Sequence, residues 1–447
     1  MPNCTADGLR LSGLGRRVVE ATFDGGAITS DAGAVLLREA ERRTGLREQV
    51  SRRLVDERDR RYVDHSLPAL LRQRVFGVAL GHCDLNDHDA LRGDPAFQTA
   101  VSRVEPLASA ATLCRFEQSA DTRFAWAAHR ALFEHFCASF ETPPTRLTLD
   151  FDATDDRVYG EQVGRHFHRF YDGHCFLPLY VFCGEQLLVS YLRPAYRHGV
   201  HHAAGILRLL VHALRERFPG VEIVLRADAG FCTPGILHAC QRLGIDYILG
   251  FATNDRLKRI SAPLLDDAER EYRAWGRPVR HFHEQDYRAR SWKRSSRLPI
   301  KAEHNGVGRN ARFVITSLAG DPQELYDEVY CARGDMENRI KEQQLDLYAD
   351  RTSAHEWWAN QMRVLVAALA YALIQAIRSI ALAGTGFARA TAATIRVHLL
   401  KIGAIVWRNT RRVRLDLSSH YPRRELPALA IARLQPGYSD ASAAPAR

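Results

Sequence analysis

Three short stretches of this chain carry acids where acids could do chemistry. The first runs Leu149-Asp150-Phe151-Asp152-Ala153-Thr154-Asp155-Asp156. Asp150 and Asp152 are two apart in a strand-like pattern, so both project to one face. Carboxylates ending an apolar strand repel unless a cation neutralises them. A hard dication does so, and Mg²⁺ favours one or two carboxylates plus phosphate oxygens. The second stretch is Leu225-Arg226-Ala227-Asp228-Ala229-Gly230-Phe231, where an acid again follows an apolar strand and Gly230 lets the chain turn closely. Ligands of such sheets gather where the strands end. The third runs from Tyr330 to Gln344. On a helix, Arg333, Glu337 and Lys341 recur every fourth residue and share a face with Tyr330 and Gln344. An acid between two cations on one helix face is commonly a surface ion-pair network. It is equally what a site for metal and phosphate requires. Taken singly, the first two stretches also have plain readings, a solvated strand exit and an Asp in a strand-to-helix turn.

These acids need elements to position them. From 145 the chain alternates apolar and polar residues, and a strand is predicted through Leu147, Leu149 and Phe151. Cys175 to Cys183 and Gln186 to Arg193 read as two more strands, joined at the Gly184-Glu185 hairpin signal. A helix follows from His201 to Arg217, stopped by Pro219-Gly220. A strand from Glu222 to Asp228, a helix opened by Thr233-Pro234 and closed by Gly244, and a strand from Ile245 to Phe251 complete a β-β-β-α-β-α-β order. Strands that first meander and then alternate with helices describe a mixed sheet with helices on its faces. Before it, residues 1–143 read as mainly helical after a short β start near Val18 to Phe23. After it, Ser353 and Glu356 form a capping-box signal for a long apolar helix to about 383. Thr391 to Ile402 reads as a further helix, Arg412 to Leu417 as an edge strand, and Pro436 to Arg447 as a loose tail.

Residues 253–325 interrupt the alternation. Between 271 and 312 there are 11 Lys or Arg against 4 acids, with Tyr272, Trp275, Phe282, Tyr287 and Trp292 interleaved. Exposed basic side chains among aromatics suit a nucleic-acid backbone and its bases, with Arg288, Arg290, Lys293 and Arg294 the densest run. A plain β-hairpin insert with cross-strand aromatic pairs has the same composition. Over the whole chain, 447 residues suggest two to four structural units. The formal charge of +10 favours a polyanionic partner. Only five of the 62 basic residues are Lys; Arg is the residue of forked phosphate contacts, although a GC-rich coding bias gives the same excess. Nine scattered Cys, with no C-x-x-C pair, predict reduced thiols in a cytoplasmic protein. The most apolar run, Val364 to Ile374, is shorter than the roughly 20 residues that span a bilayer, so no membrane partner is expected.

The order Asp–Asp–Glu resembles the transposases of bacterial insertion sequences of the DDE type, which carry an RNase H-like catalytic domain. The resemblance covers residues 145–384. Asp152-Ala153-Thr154 matches the family's Asp-x-Thr, and Asp228-Ala229-Gly230-Phe231 matches its Asp-x-Gly-Phe/Tyr context. Tyr330, Arg333 and Glu337 match its Tyr-x-x-Arg-x-x-x-Glu-x(6)-Lys signature. Gln344 stands in the Lys place, with Lys341 one turn earlier on the same face.

This likeness implies an α/β fold: an RNase H-like mixed sheet with flanking helices, interrupted by a β-rich insert and preceded by a mainly helical domain. The implied divisions are 1–143 for DNA end binding, 144–252 for the first part of the catalytic core, 253–325 for the basic insert, 326–384 for the Glu-bearing part, and 385–447 for the C-terminal region. Asp152, Asp228 and Glu337 would be both catalytic residues and ligands of two Mg²⁺ (or Mn²⁺) ions about 4 Å apart. Asp150 is the reserve for Asp152. Tyr330, Arg333 and Lys341, with Arg288, Arg290, Lys293 and Arg294, would contact double-stranded DNA, both terminal inverted repeats and target, with two copies acting on paired ends. The rival reading is a DNA-binding protein that descends from a transposase and has no activity. A two-carboxylate glycosidase leaves the basic insert unexplained.

Overall fold

The structure is a computed structural model that describes residues 9–197, 199–435 and 437. Cys4, His198 and nearly all of the tail from Pro436 lie outside them. The chain divides into two compact units. One joins residues 1–44, 58–114 and 376–447, and the other joins 45–57 and 115–375. This differs from the division in chain order expected above, because the last segment folds with the first. Ala404–Arg408 pairs with the short strand Ile28–Thr29, and Lys401 Nζ lies 2.7 Å from Asp31 Oδ1.

The helices of this first unit follow their punctuation. Ala34–Thr44 stops before Gly45, and Leu67–Leu80 stops at Gly81, which is left-handed. Pro95–Val101 opens on an Asp94 side chain that accepts from the Phe97 amide. At the N-terminal end, Leu9–Leu14 and Arg17–Ala21 form a two-stranded ribbon.

The larger unit is organised on one eight-stranded sheet. Its centre is Arg146–Ala153, parallel to Glu222–Ala227, which is parallel in turn to Asp246–Phe251. Leu179–Cys183 and Gln186–Tyr191 extend one side antiparallel. Gly308–Thr316, Ser296–Asn305 and Val279–Tyr287 extend the other. The central strands are buried on both faces, so Leu147, Leu149, Phe151, Ile223 and Leu225 join one core with Leu207, Val211, Ile236 and Leu249. A mixed sheet with helices packed on it is the fold the sequence implied.

Three local expectations change. The long strand read over Cys175 to Cys183 is broken at Pro178. Gly173–Phe176 pairs instead with Asp156–Arg157 and His166–His168 in a separate three-stranded sheet. The insert is not all β: it begins with a 21-residue helix, Asp255–Trp275, capped by Asn254. Its strands continue the main sheet rather than standing apart. The capping box at Ser353 does not form. Asn360 instead bonds both the amide and the carbonyl of Ala354, and the helix starts at Trp357. The run Trp357–Ala381 is long and apolar enough to cross a membrane by length and composition, but most of it is buried within the protein.

Candidate active site

Asp152 and Asp228 stand at the same end of two neighbouring parallel strands. Arg146–Ala153 and Glu222–Ala227 run in register with Asp150 beside Arg226, so the acids leave the sheet together. Asp228 turns sharply there, its Oδ1 accepting from the Gly230 amide at 2.9 Å. Glu337 comes from a different element, the helix Gly334–Lys341. A π-helical stretch, Leu325–Tyr330, and one 3₁₀ turn precede it. Wide turns of this kind are frequent at functional sites, because they rotate a helix face by an extra residue.

Arg333 joins the three acids. Its Nη2 lies 2.5 Å from Glu337 Oε1 and its Nη1 3.6 Å from Asp152 Oδ2. Asp228 lies close enough to act on both Asp152 and Arg333. Burial pushes the Asp152 carboxyl up to about 7; Arg333 opposes this, and the charges of Asp228 and Glu337 add to it. One guanidinium thus falls short of the negative charge gathered here. Arg333 Nη1 is buried and has no hydrogen-bond acceptor among the described residues. Those residues include no group of three His, Cys, Asp or Glu arranged to hold a metal ion. The acids meet around Arg333, whose positive charge lies between them.

Asp150 is not available for this site. It is buried and held by Arg226 through two bonds, Nε to Oδ1 at 2.5 Å and Nη2 to Oδ2 at 2.8 Å. Arg226 Nη1 also donates to the Val329 carbonyl at 2.6 Å. A buried ion pair therefore ties the first-acid strand and the second-acid strand to the segment leading to Glu337. Asp150 and Asp152 share a face by periodicity, yet only Asp152 reaches the strand end. From residue 11 to residue 438, the chain matches the family described as transposase DDE domain group 1. It belongs to that family.

Among solved structures, the piggyBac transposase synaptic complex with hairpin DNA is similar at 12% identity and a TM-score of 0.40, over 83% of this chain and 80% of that one. No curated protein matches the sequence. In this DDE transposase the remaining expected residues lie as follows. Tyr330 is largely buried beside Arg333 and Asp228, packed on Tyr326. Lys341 is exposed. Gln344, in the place of the family Lys, donates to the Asp155 carbonyl at 3.0 Å. It thereby ties the Glu337 helix to the loop after Asp152 and leaves no cation at that position.

The basic insert separates into two groups. Arg273, Arg280, Arg297, Lys301 and Arg309 are each paired with an acid. Arg288, Arg290, Lys293 and Arg294 lie exposed in the loop between Val279–Tyr287 and Ser296–Asn305, with no ion pair among the described residues. Of the interleaved aromatics, Trp275 is exposed at the end of the helix Asp255–Trp275, and the larger strand and loop rings turn inward. Tyr287 and Trp292 are buried and pack on Phe251, and Phe282 packs on Tyr326. Base stacking by these residues, one reading of the sequence, is corrected to core packing.

Sequence reasoning passed over two contributors. Arg226 was legible as a cation in a strand, but its pairing with Asp150 needs the parallel register. Gly250 read only as a residue of an apolar strand. A Cβ there would stand 2.9 Å from the Ala229 amide nitrogen and closer still to the Tyr330 hydroxyl. Its lack of a side chain admits both Tyr330 and the Asp228 turn.

Proposed function

We propose that this transposase cuts the ends of a mobile DNA element and joins them to target DNA by phosphoryl transfer at Asp152, Asp228 and Glu337. One observation carries the reading: three acids from three separate elements converge on the single cation Arg333. The donor set suits a hard divalent cation, because carboxylate oxygens are the ligands such ions take and the acids hold more negative charge than Arg333 offsets. A bound pair of Mg²⁺ or Mn²⁺ ions would neutralise the acids and activate water, then a DNA 3′-OH, for in-line attack.

The protein's own residues do the rest. Asp152 and Asp228 are fixed by strands, whereas the Glu337 side chain is 45% exposed on its helix and free to adjust. The unsatisfied Nη1 of Arg333 is a charged donor for a phosphate oxygen of the cleaved strand, and charge-assisted bonds of that kind are among the strongest. The unpaired loop Arg288 to Arg294 supplies sequence-independent attraction to the DNA backbone. Two ends must reach one target, so two copies on paired ends are the working assembly.

Asp228→Asn tests the reading. It removes a charge and nearly keeps the shape, so folding and DNA binding should survive. End cleavage and strand transfer should fall together by orders of magnitude, because both use one site, and EDTA should abolish both in the wild type. A mutant that cuts at near wild-type rate with binding intact would move the site elsewhere. A wild type that binds DNA and never cuts it with Mg²⁺ or Mn²⁺ would make the protein a binder without activity.

A further inference from the structure

Glu337 is the one acid of the three that does not stand at a strand end. Its helix, Gly334–Lys341, has only eight residues. A 3₁₀ turn, Cys331–Arg333, precedes it and a π-helical stretch, Glu342–Asp346, follows it. Its own ladder is therefore short and irregular at both ends. Its buried side chains are Met336 and Ile340. Apolar packing sets how far a helix stands from the core, but it is non-directional and does not fix how the helix is turned. Arg333, at one end, bonds the acids themselves, so it cannot locate Glu337 independently of them.

The independent fixed point is Arg339. Two residues past Glu337, it leaves the helix about 200° further round. Its Nη2 donates to Glu185 Oε1 at 3.0 Å, and its Nη1 donates to the Tyr371 hydroxyl at 3.4 Å. Glu185 lies in the hairpin turn between Leu179–Cys183 and Gln186–Tyr191. Its carboxylate also accepts from Gln375 Nε2 at 2.7 Å, and its carbonyl accepts from the Tyr371 hydroxyl at 2.9 Å. Tyr371 and Gln375 sit one turn apart on the helix Trp357–Ala376 and are almost wholly buried. Tyr371 stands edge-on to Phe182 at 5.9 Å. The main sheet, the long core helix and the Glu337 helix thus meet at one residue. Because the Leu179–Cys183 strand pairs with the strand of Asp152, this contact refers Glu337 to the same sheet that carries Asp152. A planar guanidinium that bonds two partners fixes direction as well as distance.

We propose that Arg339 is a positioning residue: bound to Glu185 and Tyr371, it holds Glu337 in place to take up a metal ion without touching that ion. This rests on the transposase reading of the acids. Groups that orient a metal ligand from behind are worth about 10–100-fold in metal affinity. The Glu185 side chain is 53% exposed, so the chain should fold without it.

The experiment uses the full chain and Mn²⁺ itself, with free Mn²⁺ read by electron paramagnetic resonance. Asp228→Asn marks the ions held by the acids, since it should lose them. Arg339→Ala and Glu185→Ala should each weaken that binding about tenfold, while their circular dichroism and their affinity for duplex DNA stay as in the wild type. The double variant should bind Mn²⁺ no worse than either single one, because both substitutions remove the same contact. Arg339→Lys keeps the charge and loses the fork, so it should fall between the wild type and Arg339→Ala. If either single variant binds Mn²⁺ as the wild type does, or if the two losses multiply, the proposal fails, while metal-dependent cutting by the wild type keeps the transposase reading intact. If Mn²⁺ binding is lost only together with the fold, Arg339 is structural alone and the proposal is overturned. A wild type that holds no Mn²⁺ at the acids and cuts no DNA would overturn both.

Discussion

Asp150→Leu separates a structural acid from a catalytic one. Asp150 and Arg226 are nearly inaccessible, with side chains 4% and 12% exposed, and their two-point contact lies inside the sheet. Removing one member of a buried pair leaves a buried charge unmatched and costs about 3–5 kcal/mol. For a unit of this size 1 kcal/mol moves the melting temperature by about 2–4 °C, so the mutant should melt roughly 6–20 °C lower. Asp150→Asn keeps an acceptor for Arg226 and should lose less, about 1–3 kcal/mol. Asp150→Leu combined with Arg226→Met removes both charges and should recover most of the loss. Recovery should stop short of the wild type, because the Val329 carbonyl then loses its donor. Scanning calorimetry of the four proteins, with end cleavage measured well below every melting point, gives the answer. The reasoning is refuted if Asp150→Leu melts with the wild type and yet cannot cut; Asp150 would then be a ligand and Asp152 would not.

The other predictions are shorter. Asp152 holds a proton in the folded, metal-free protein up to about pH 7, whereas an unfolded chain releases it near 4. The stability it contributes is thus present below about pH 4 and lost as pH rises through 7. Asp152→Asn cannot ionise, so its melting temperature should climb relative to wild type between about pH 4 and pH 7 in metal-free buffer, and a constant difference would contradict the shift. Replacing Arg288, Arg290, Lys293 and Arg294 by Ala should lower the salt slope of DNA binding by about 0.9 for each phosphate that goes unneutralised. The same change at the ion-paired Arg273 and Arg309 should alter it little, and equal effects would show that pairing does not matter. Gly250→Ala should cost about 1–3 kcal/mol by overpacking and should disturb Tyr330, read as a change in its fluorescence or hydroxyl titration; an unperturbed Tyr330 would mean the strand moves aside freely.

The catalytic sheet was legible because its signals are local. Alternation in Leu147 to Phe151, the Thr233-Pro234 opening and the Gly244 stop each act within a few residues, and the structure follows them closely. Three features misled for physical reasons. Pro263 and a dense charge pattern hid the helix Asp255–Trp275, although Leu257, Ile260, Leu264 and Ala268 keep helical spacing along the side that packs on the core. Pro178 breaks what alternation presents as one strand from Cys175 to Cys183, because proline cannot donate to a ladder. Ser353 and Glu356 satisfy a capping pattern, but the Asn360 amide offers the same backbone two bonds and takes it.

The site was legible in part, and the limit is instructive. Asp152, Asp228 and Glu337 could be picked out as candidates from their local motifs and the family resemblance those motifs carry together. What holds them could not, because every tie is made across elements. Arg226 reaches Asp150 only when the two strands run parallel in this register. Gln344 reaches the Asp155 carbonyl across the whole catalytic unit. Gly250 matters only once Tyr330 leans on it. Arg333 is the telling case. Its spacing to Glu337 reads as an ordinary surface pair, yet in the fold the Arg333 side chain is largely covered, and the same guanidinium also meets Asp152. In the proposed reaction, cations taken up by the acids would release this guanidinium, leaving its charged donors for a phosphate oxygen of the strand to be cut. Its place four residues before the glutamate, on the same face, lets one arginine meet acids from both the strand and the helix.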